Sequence, residues 1–283
     1  MNNIKSLNNA IPLNLDEFSE TWKFSLNGKI AYFKPFDVKE LIAEEVARVL
    51  DINTVHFNIG SYNNKATLYS YQFYDEKKEK YHHGFQLIKG HAADINEYNA
   101  LSDEEEVTPK NLNNLTDIWG TLEYIFGSEY PEDIPKIMND LVKMFCFDIL
   151  LSVCDRNAYN WGIIESEEGI RLSPLFDNES MLQAEYYSLT DEDNLNENLN
   201  VLQNFLNTSD SYFTSIFYEM YEKLTPEVFV SIMNKMELER NLRIVKNKGK
   251  FSNRFFKYDL HKKYERHSSN IGKIIHKQQE RKL

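Results

Sequence analysis

The side chains best suited to chemistry are concentrated between Cys154 and Ser180, in CDRNAYNWGIIESEEGIRLSPLFDNES. The order is an aspartate, an asparagine after four intervening residues, a hairpin-like insertion, and a second aspartate after an apolar run: Asp155, Asn160 and Asp177. Phosphoryl transfer needs oxygen ligands for metal ions that bridge phosphate oxygens, and an acid that orients the attacking hydroxyl. In that chemistry Asp155 is the general base or hydroxyl-orienting group, Asn160 a Mg2+ ligand and Asp177 the main Mg2+ ligand. A cation for the α- and β-phosphates is also required, on a strand followed by a helix that supplies a glutamate partner. Lys34 ends IAYFK, and the helix after it offers Glu40, Glu44 and Glu45, of which one can point back at the lysine. Without a carboxylate, an ammonium in a cleft is expensive to desolvate.

Each residue also has a plainer reading. Asp155 is acceptable as a loop acid after a helix, Asn160 as a turn former and Asp177 before Asn178 as an Asx-turn. Lys34 before Pro35 reads equally as a solvated strand end, and the three glutamates as a polar helix face. D-x4-N alone is a weak pattern; the joint order of the parts carries the expectation.

The elements that must position these groups can be read from periodicity. WKFSLNGKIAYF, residues 22–33, is two aromatic and β-branched runs around Asn27-Gly28, a dipeptide suited to the positive φ angles of a tight hairpin. DVKELIAEEVARVLDI follows as an amphipathic helix with Asp37 as its N-cap and its acids mostly off the apolar face. TVHFNIG and ATLYSYQF, separated by SYNNK, read as two further strands. Beyond the acidic SDEEE at 102–106 the pattern turns helical: NLNNLTDIWGTLEYIF, a long apolar helix from Ile134, and an aromatic helix pair near Phe213 to Met236. GIIESEEGIRL interrupts this as a hairpin, and an Asn-rich polar stretch, TDEDNLNENLN, comes after it. The expected fold is α+β and bilobal, with a small antiparallel-sheet N-lobe and one helix at 1–90 and a mainly helical C-lobe at 91–283.

With 283 residues, 42% hydrophobic and 13% aromatic, the chain can bury a sizeable core and is not a disordered one. Its start has one early lysine and no long apolar run, so neither a signal peptide nor an anchor is expected, and MFCFDILLSVC, broken by Asp148, reads as a buried helix rather than a membrane span. Asp148 should then accept hydrogen bonds from the catalytic-loop backbone or from Arg156. The two cysteines, Cys146 and Cys154, share one apolar segment and argue against a disulfide framework, which fits a reducing cytoplasm. The net charge of −12 is uneven: residues 241–283 carry thirteen Lys/Arg against three Asp/Glu. That basic tail either docks as a helix on the acidic body or meets an acidic or nucleic-acid partner, and charge alone does not separate the two.

FDILLSVCDRNAYNWGI followed by LSPLFDNESML closely resembles the catalytic segment of HipA-like serine/threonine kinases, especially the compact CtkA-type members, where a buried FD-x-L-L helix leads into DRH-x-x-N and then P-L/I-F-D-N. WKFSLNGKIAYFKPF resembles that family's lysine strand, ELIAEEVARVLDI its S-E-x-L-A-S helix and LYSYQFYDEKKEKYHHGFQLI its hinge region, so the likeness spans roughly residues 22–182. The resemblance implies a protein-kinase-like fold using ATP and Mg2+. In it Asp155 is the catalytic aspartate, Asn160 and Asp177 bind metal, Lys34 is the ATP lysine and Glu40 its helix partner. It places the backbone of Ser70, Tyr71, Gln72 and Phe73 beside adenine, with Tyr71 and Phe73 as apolar walls. It further implies transfer to Ser/Thr hydroxyls of a protein substrate, and autophosphorylation of the first loop, where Ser19 and Thr21 sit. For many members it also implies a toxin paired with an antitoxin, or a secreted effector acting on a host protein. Asn157 stands where the family commonly has histidine, Glu179 where glycine often follows F-D-N, and IPLNLDEFSET has no glycine for a phosphate loop. A small-molecule or lipid kinase, which also uses D-x4-N and a later aspartate, and a nucleotide-binding pseudokinase stay open beside it.

Overall fold

The computed structural model describes residues 5–14, 21–94, 115–153, 156–182, 202, 206–207, 211–239 and 253–280. Six strands form one sheet: β1 (Lys5–Ser6), β2 (Ile11–Asn14), β3 (Trp22–Leu26), β4 (Lys29–Pro35), β5 (Asn58–Tyr62) and β6 (Lys65–Tyr71), in the order β1-β5-β6-β4-β3-β2. The β3–β4 hairpin turns at Asn27 and Gly28, both at positive φ, and β5–β6 turns at Asn63 and Asn64 in the same left-handed region. β5 starts at Asn58 rather than Thr54 because the preceding backbone is engaged elsewhere: Val55 N–H donates to the Leu175 carbonyl and Phe57 N–H to Glu44. β1 and β2 go beyond the sequence expectation; two and four residues, one of them a proline, leave no alternation to read.

Helix α1 (Val38–Val49) begins at Asp37, whose carboxylate accepts the Lys39 N–H at 2.8 Å. Contrary to a solvated acidic face, Glu40, Glu44 and Glu45 are all buried. Each has a cation nearby: Glu40 meets Lys34, Glu44 meets Arg48 and His56, and Glu45 meets Arg48. The rest of α1 belongs to the main core through Leu41, Ile42, Ala43, Val46 and Ala47. A smaller core of Phe24, Leu26, Ala31, Phe33 and Tyr69, closed by Leu7 and Ala10, fills the opposite face of the sheet.

A three-stranded antiparallel sheet, β7 (Glu79–His83), β8 (Gly162–Ser166) and β9 (Gly169–Leu172), packs against the helices. The expected GIIESEEGIRL hairpin is β8–β9. The helices are α2 (Gly84–Asp94), α3 (Leu115–Phe126), α4 (Ile134–Leu151), α5 (Ser211–Lys223), α6 (Pro226–Glu239) and α7 (Asn253–Glu280). α4 is the buried axis, with Val142, Cys146, Phe147 and Leu150 at or near zero exposure. α7, within the basic tail, docks through an apolar stripe that includes Tyr264 and Ile271. Among the described residues no helix is long and apolar enough to cross a membrane.

Candidate active site

Strand register places the lysine. Lys34 pairs with Leu68 across β4–β6, and Tyr32 with Ser70. Side chains directly opposite on neighbouring strands share a face, so Tyr32, Lys34, Leu68 and Ser70 face one way while Phe33, Tyr69 and Tyr71 face the other. The first face meets α1, and there Lys34 is buried with its Nζ 2.5 Å from Glu40 Oε1. Of the three candidate partners, Glu40 therefore holds the lysine. Glu44, one turn on, accepts from Arg48 and from the Phe57 N–H and pairs with His56 at 2.6 Å.

Two more carboxylates reach the same ammonium: Asp177 Oδ1 at 3.2 Å and Glu179 Oε2 at 2.8 Å. Burial pulls the Lys34 pKa down, but the charges of Glu40, Asp177 and Glu179 outweigh it and hold the ammonium well above the usual lysine range. Burial pushes the Glu40 carboxyl up, against the pull of Lys34. Asp177 sits at φ 59, in the left-handed region that aspartate tolerates better than most residues. Oxygens of Glu40, Asp177 and Glu179 lie within 4.8 Å of one another. Hard oxygen donors so grouped, with Asp177 and Glu179 part-exposed, fit a magnesium ion.

The loops bearing these groups are held by Arg156, which is 2% exposed. Its Nε and Nη2 donate to the two oxygens of Asp148, each at 3.0 Å, so the acid expected inside the apolar helix has the guanidinium as its partner. Nη1 donates to the carbonyls of Asn160 at 3.3 Å and Phe176 at 2.7 Å, and Nη2 donates to Asn178 Oδ1 at 2.6 Å. Asn178 N–H in turn donates to Glu40 Oε2 at 3.1 Å. A buried chain of Asp148, Arg156, Asn178, Glu40 and Lys34 thus links α4 to β4. Arg156 was legible only as a partner for Asp148; nothing in the sequence marked it or Asn178 as the tie between the two loops.

Lys34 and Asp177 line a cleft of about 480 Å³, which is in the range of small-ligand pockets. Of the expected hinge residues, Ser70 and Phe73 line it, and Phe73 stacks on Phe176 at 5.8 Å. Tyr71 is not a wall of the cleft: alternation along β6 turns it to the opposite face, where it meets Tyr69 and the Lys29 ammonium. Gln72 is not a lining residue either; its amide donates to the Tyr74 carbonyl and its oxygen accepts from the Tyr32 hydroxyl. Tyr32, Phe57, Tyr81, His83 and Tyr159 complete walls that the sequence reading did not name. Tyr32 was findable, two residues before Lys34 on the same strand face. Thr21 lines the cleft, while Ser19 and Asp155 lie outside the described residues.

Asn160 is buried and lines a second, larger cavity of about 820 Å³ instead. The wall between the two is the interlobe tie, where Leu175 N–H donates to Asn53 and its carbonyl accepts from Val55 N–H and the Thr54 hydroxyl. Alternate residues go to opposite sides: Thr54 and His56 to the larger cavity, Val55 and Phe57 to the cleft. The structure brings Lys34, Glu40 and Asp177 together directly, and joins Asn160 to them through the shared guanidinium.

No protein-family model matches the chain, and no curated protein matches it in sequence. Solved structures do match in fold. The crystal structure of the Helicobacter pylori proinflammatory kinase CtkA superposes with a TM-score of 0.64 at 16% identity, covering 96% of this chain and 98% of that one. A chain of the Shewanella oneidensis toxin–antitoxin complex of HipA, HipB and operator DNA superposes at 0.55 with 13% identity, covering 93% and 67%. The chain has the α+β kinase-like fold of these proteins.

Proposed function

We propose that this protein is an ATP- and Mg2+-dependent phosphotransferase that acts on serine or threonine hydroxyls of a protein. The observation that carries the reading is the buried Lys34–Glu40 pair with Asp177 on the same ammonium, at the wall of a cleft with an aromatic floor. Phosphoryl transfer is mainly positioning and charge stabilisation, and these residues divide that work. Phe73 and Phe176, stacked on each other, would form the apolar wall for the base, and Lys34, oriented by Glu40, would hold the phosphates. Asp177 would hold Mg2+, which when bound neutralises charge on the phosphate oxygens, and Asn160, which lines the neighbouring cavity, would be its second ligand. Asp155 would accept the proton of the attacking hydroxyl. The kinase reading is supported by the likeness in fold to CtkA, a kinase, and to HipA, which is found with HipB in a toxin–antitoxin complex; the protein acceptor follows from the resemblance of the catalytic segment to HipA-like serine/threonine kinases. An antitoxin or host protein as partner, autophosphorylation at Thr21 and a cytoplasmic site of action belong to the same proposal.

The test is incubation with γ-labelled ATP and Mg2+, following label on the chain itself and on added protein acceptors. The native chain should transfer label, and Lys34→Met, Asp155→Ala and Asp177→Asn should each lose at least about a hundredfold in rate. ATP binding without transfer to protein would overturn the protein-kinase reading in favour of a small-molecule kinase or a pseudokinase, which label transfer to small acceptors separates.

A further inference from the structure

α1 carries two buried acids one turn apart, Glu40 and Glu44, and both grip the segment that bears Asp177. The grip of Glu40 is direct: its Oε2 accepts the Asn178 N–H at 3.1 Å, immediately after Asp177. That of Glu44 runs through a second stretch of backbone, residues 53–57, which leads from the end of α1 to β5. Ile52 N–H donates to the Ala47 carbonyl at 2.8 Å and fixes the near end of that stretch. Glu44 fixes the far end: its Oε2 accepts the Phe57 N–H at 3.2 Å, and its Oε1 lies 2.6 Å from His56 Nδ1. Arg48 Nη2, at 3.1 Å, pairs the buried charge.

Between these two anchors the stretch pairs in parallel with Leu175. Leu175 N–H donates to the Asn53 carbonyl at 2.8 Å, and the Leu175 carbonyl accepts the Val55 N–H and the Thr54 hydroxyl, each at 2.9 Å. Leu175 comes two residues before Asp177, and Asn178 directly after it. The segment 175–178 is thus held on both sides from one helix, by Glu44 through the bridge and by Glu40 at Asn178. Asp177 lies between the two holds at φ 59, a left-handed conformation that a non-glycine residue keeps where its surroundings impose it. Its carboxylate is thereby set 3.2 Å from the Lys34 ammonium. Glu44 takes no part in that ion cluster, so its burial is explained by the bridge and not by the lysine.

We propose that Glu44 is a positioning residue for metal binding: it fixes residues 53–57 through the Phe57 N–H and the His56 ring, and through their bridge to Leu175 it sets Asp177 against Lys34. This rests on the ATP and Mg2+ reading above. The experiment is calorimetric titration of the full chain with ATP, in EDTA and in Mg2+, using the native protein, Glu44→Met, Glu44→Gln and Thr54→Val. Amide hydrogen exchange of residues 175–178 is followed beside it in the nucleotide-free chain. The readout is the ratio of the two ATP affinities, in which any change to the apolar wall common to both cancels. Glu44→Met keeps the length of the side chain and loses its acceptors; it should lower the ratio about tenfold, the worth of one hydrogen bond, and speed exchange by about as much. Glu44→Gln still accepts from the Phe57 N–H and should hold the ratio within about twofold. Thr54→Val removes only the hydroxyl bond to Leu175 and should lower the ratio about threefold, and it decides the matter if Glu44→Met does not fold. A folded Glu44→Met or Thr54→Val with the native ratio overturns this inference and leaves the ATP reading standing, as does unchanged exchange. A loss in Glu44→Gln as large as that in Glu44→Met also overturns it, because charge and not the held backbone is then the cause. A native chain whose ATP affinity does not respond to Mg2+ overturns both.

Discussion

At the residue scale the unusual feature is one ammonium among three carboxylates. Glu40 is the buried partner that keeps Lys34 in place, and Asp177 is the proposed main metal ligand; Glu179, the third carboxylate of the cluster, lies 2.8 Å from Nζ. A triphosphate approaching Lys34 without a metal must displace Glu179 and tolerate its charge. Two unit charges 4 Å apart interact by about 4 kcal/mol at an effective dielectric of about 20, and the part exposure of Glu179 reduces that severalfold. Glu179→Gln is therefore expected to tighten metal-free ATP binding by about tenfold, or ~1.4 kcal/mol, and to narrow the gap between metal-free and Mg2+-loaded affinity. Equilibrium titration with EDTA and then with Mg2+ checks it. An unchanged gap would mean that the Lys34–Glu179 contact has no bearing on nucleotide entry.

At the scale of elements, α4 and the loop after it are held by one guanidinium, which among the described residues donates to Asp148, Asn160, Phe176 and Asn178 through all three of its nitrogens. Lysine keeps the charge but not the fork, so Arg156→Lys should lose about 3–5 kcal/mol of stability, as breaking a buried pair does, measured by urea unfolding. A loss under about 1 kcal/mol would show that the network is not what fixes the loop. The C-terminal half of α4 also meets α7, where His267 Nε2 lies 2.7 Å from the Ile149 carbonyl and Nδ1 is buried without a partner among the described residues. Burial lowers the His267 pKa, with the Ile149 carbonyl opposing. Below the ordinary histidine value the unfolded chain takes up a proton that the folded one refuses, so stability falls as pH drops beneath about 6.5. The slope is up to about 1.4 kcal/mol per pH unit, and His267→Gln should flatten it in melts between pH 7.5 and 5.5. These elements differ in how far the sequence reveals them. The β3–β4 hairpin, the Asp37 cap and α4 follow from local signals such as Asn-Gly, an N-cap aspartate and apolar periodicity. The short β1 and β2, the outward turn of Tyr71 and the burial of all three α1 glutamates follow from register and long-range packing, to which single-sequence periodicity is blind.

At the scale of the whole molecule, the C-terminal end supports the proposed site from behind. α6 packs against both α1, which bears Glu40, and α7. α7 is anchored by Tyr264, whose ring stacks on Phe229 of α6 at 4.2 Å and whose hydroxyl donates to the Leu224 carbonyl at 2.5 Å, and by Gln278, which donates to Asn207 at 2.8 Å. The basic tail thus serves first as structure, through its apolar stripe, while Arg266 and Lys277 face solvent. These two contributions are separable. Tyr264→Ala opens a cavity in the α6–α7 seam and leaves the Leu224 carbonyl unpaired, so it should lose about 3–5 kcal/mol. Because α6 backs α1, it should also weaken nucleotide binding from a distance. Arg266→Gln with Lys277→Gln removes two charges from an exposed face and should move stability by no more than about 0.5 kcal/mol. Parallel denaturant unfolding and ATP titration of the two variants decide the point. If the charge variant loses stability and Tyr264→Ala does not, the tail is held by its charge against the acidic body, and the support for Glu40 must come from α1 and the sheet alone.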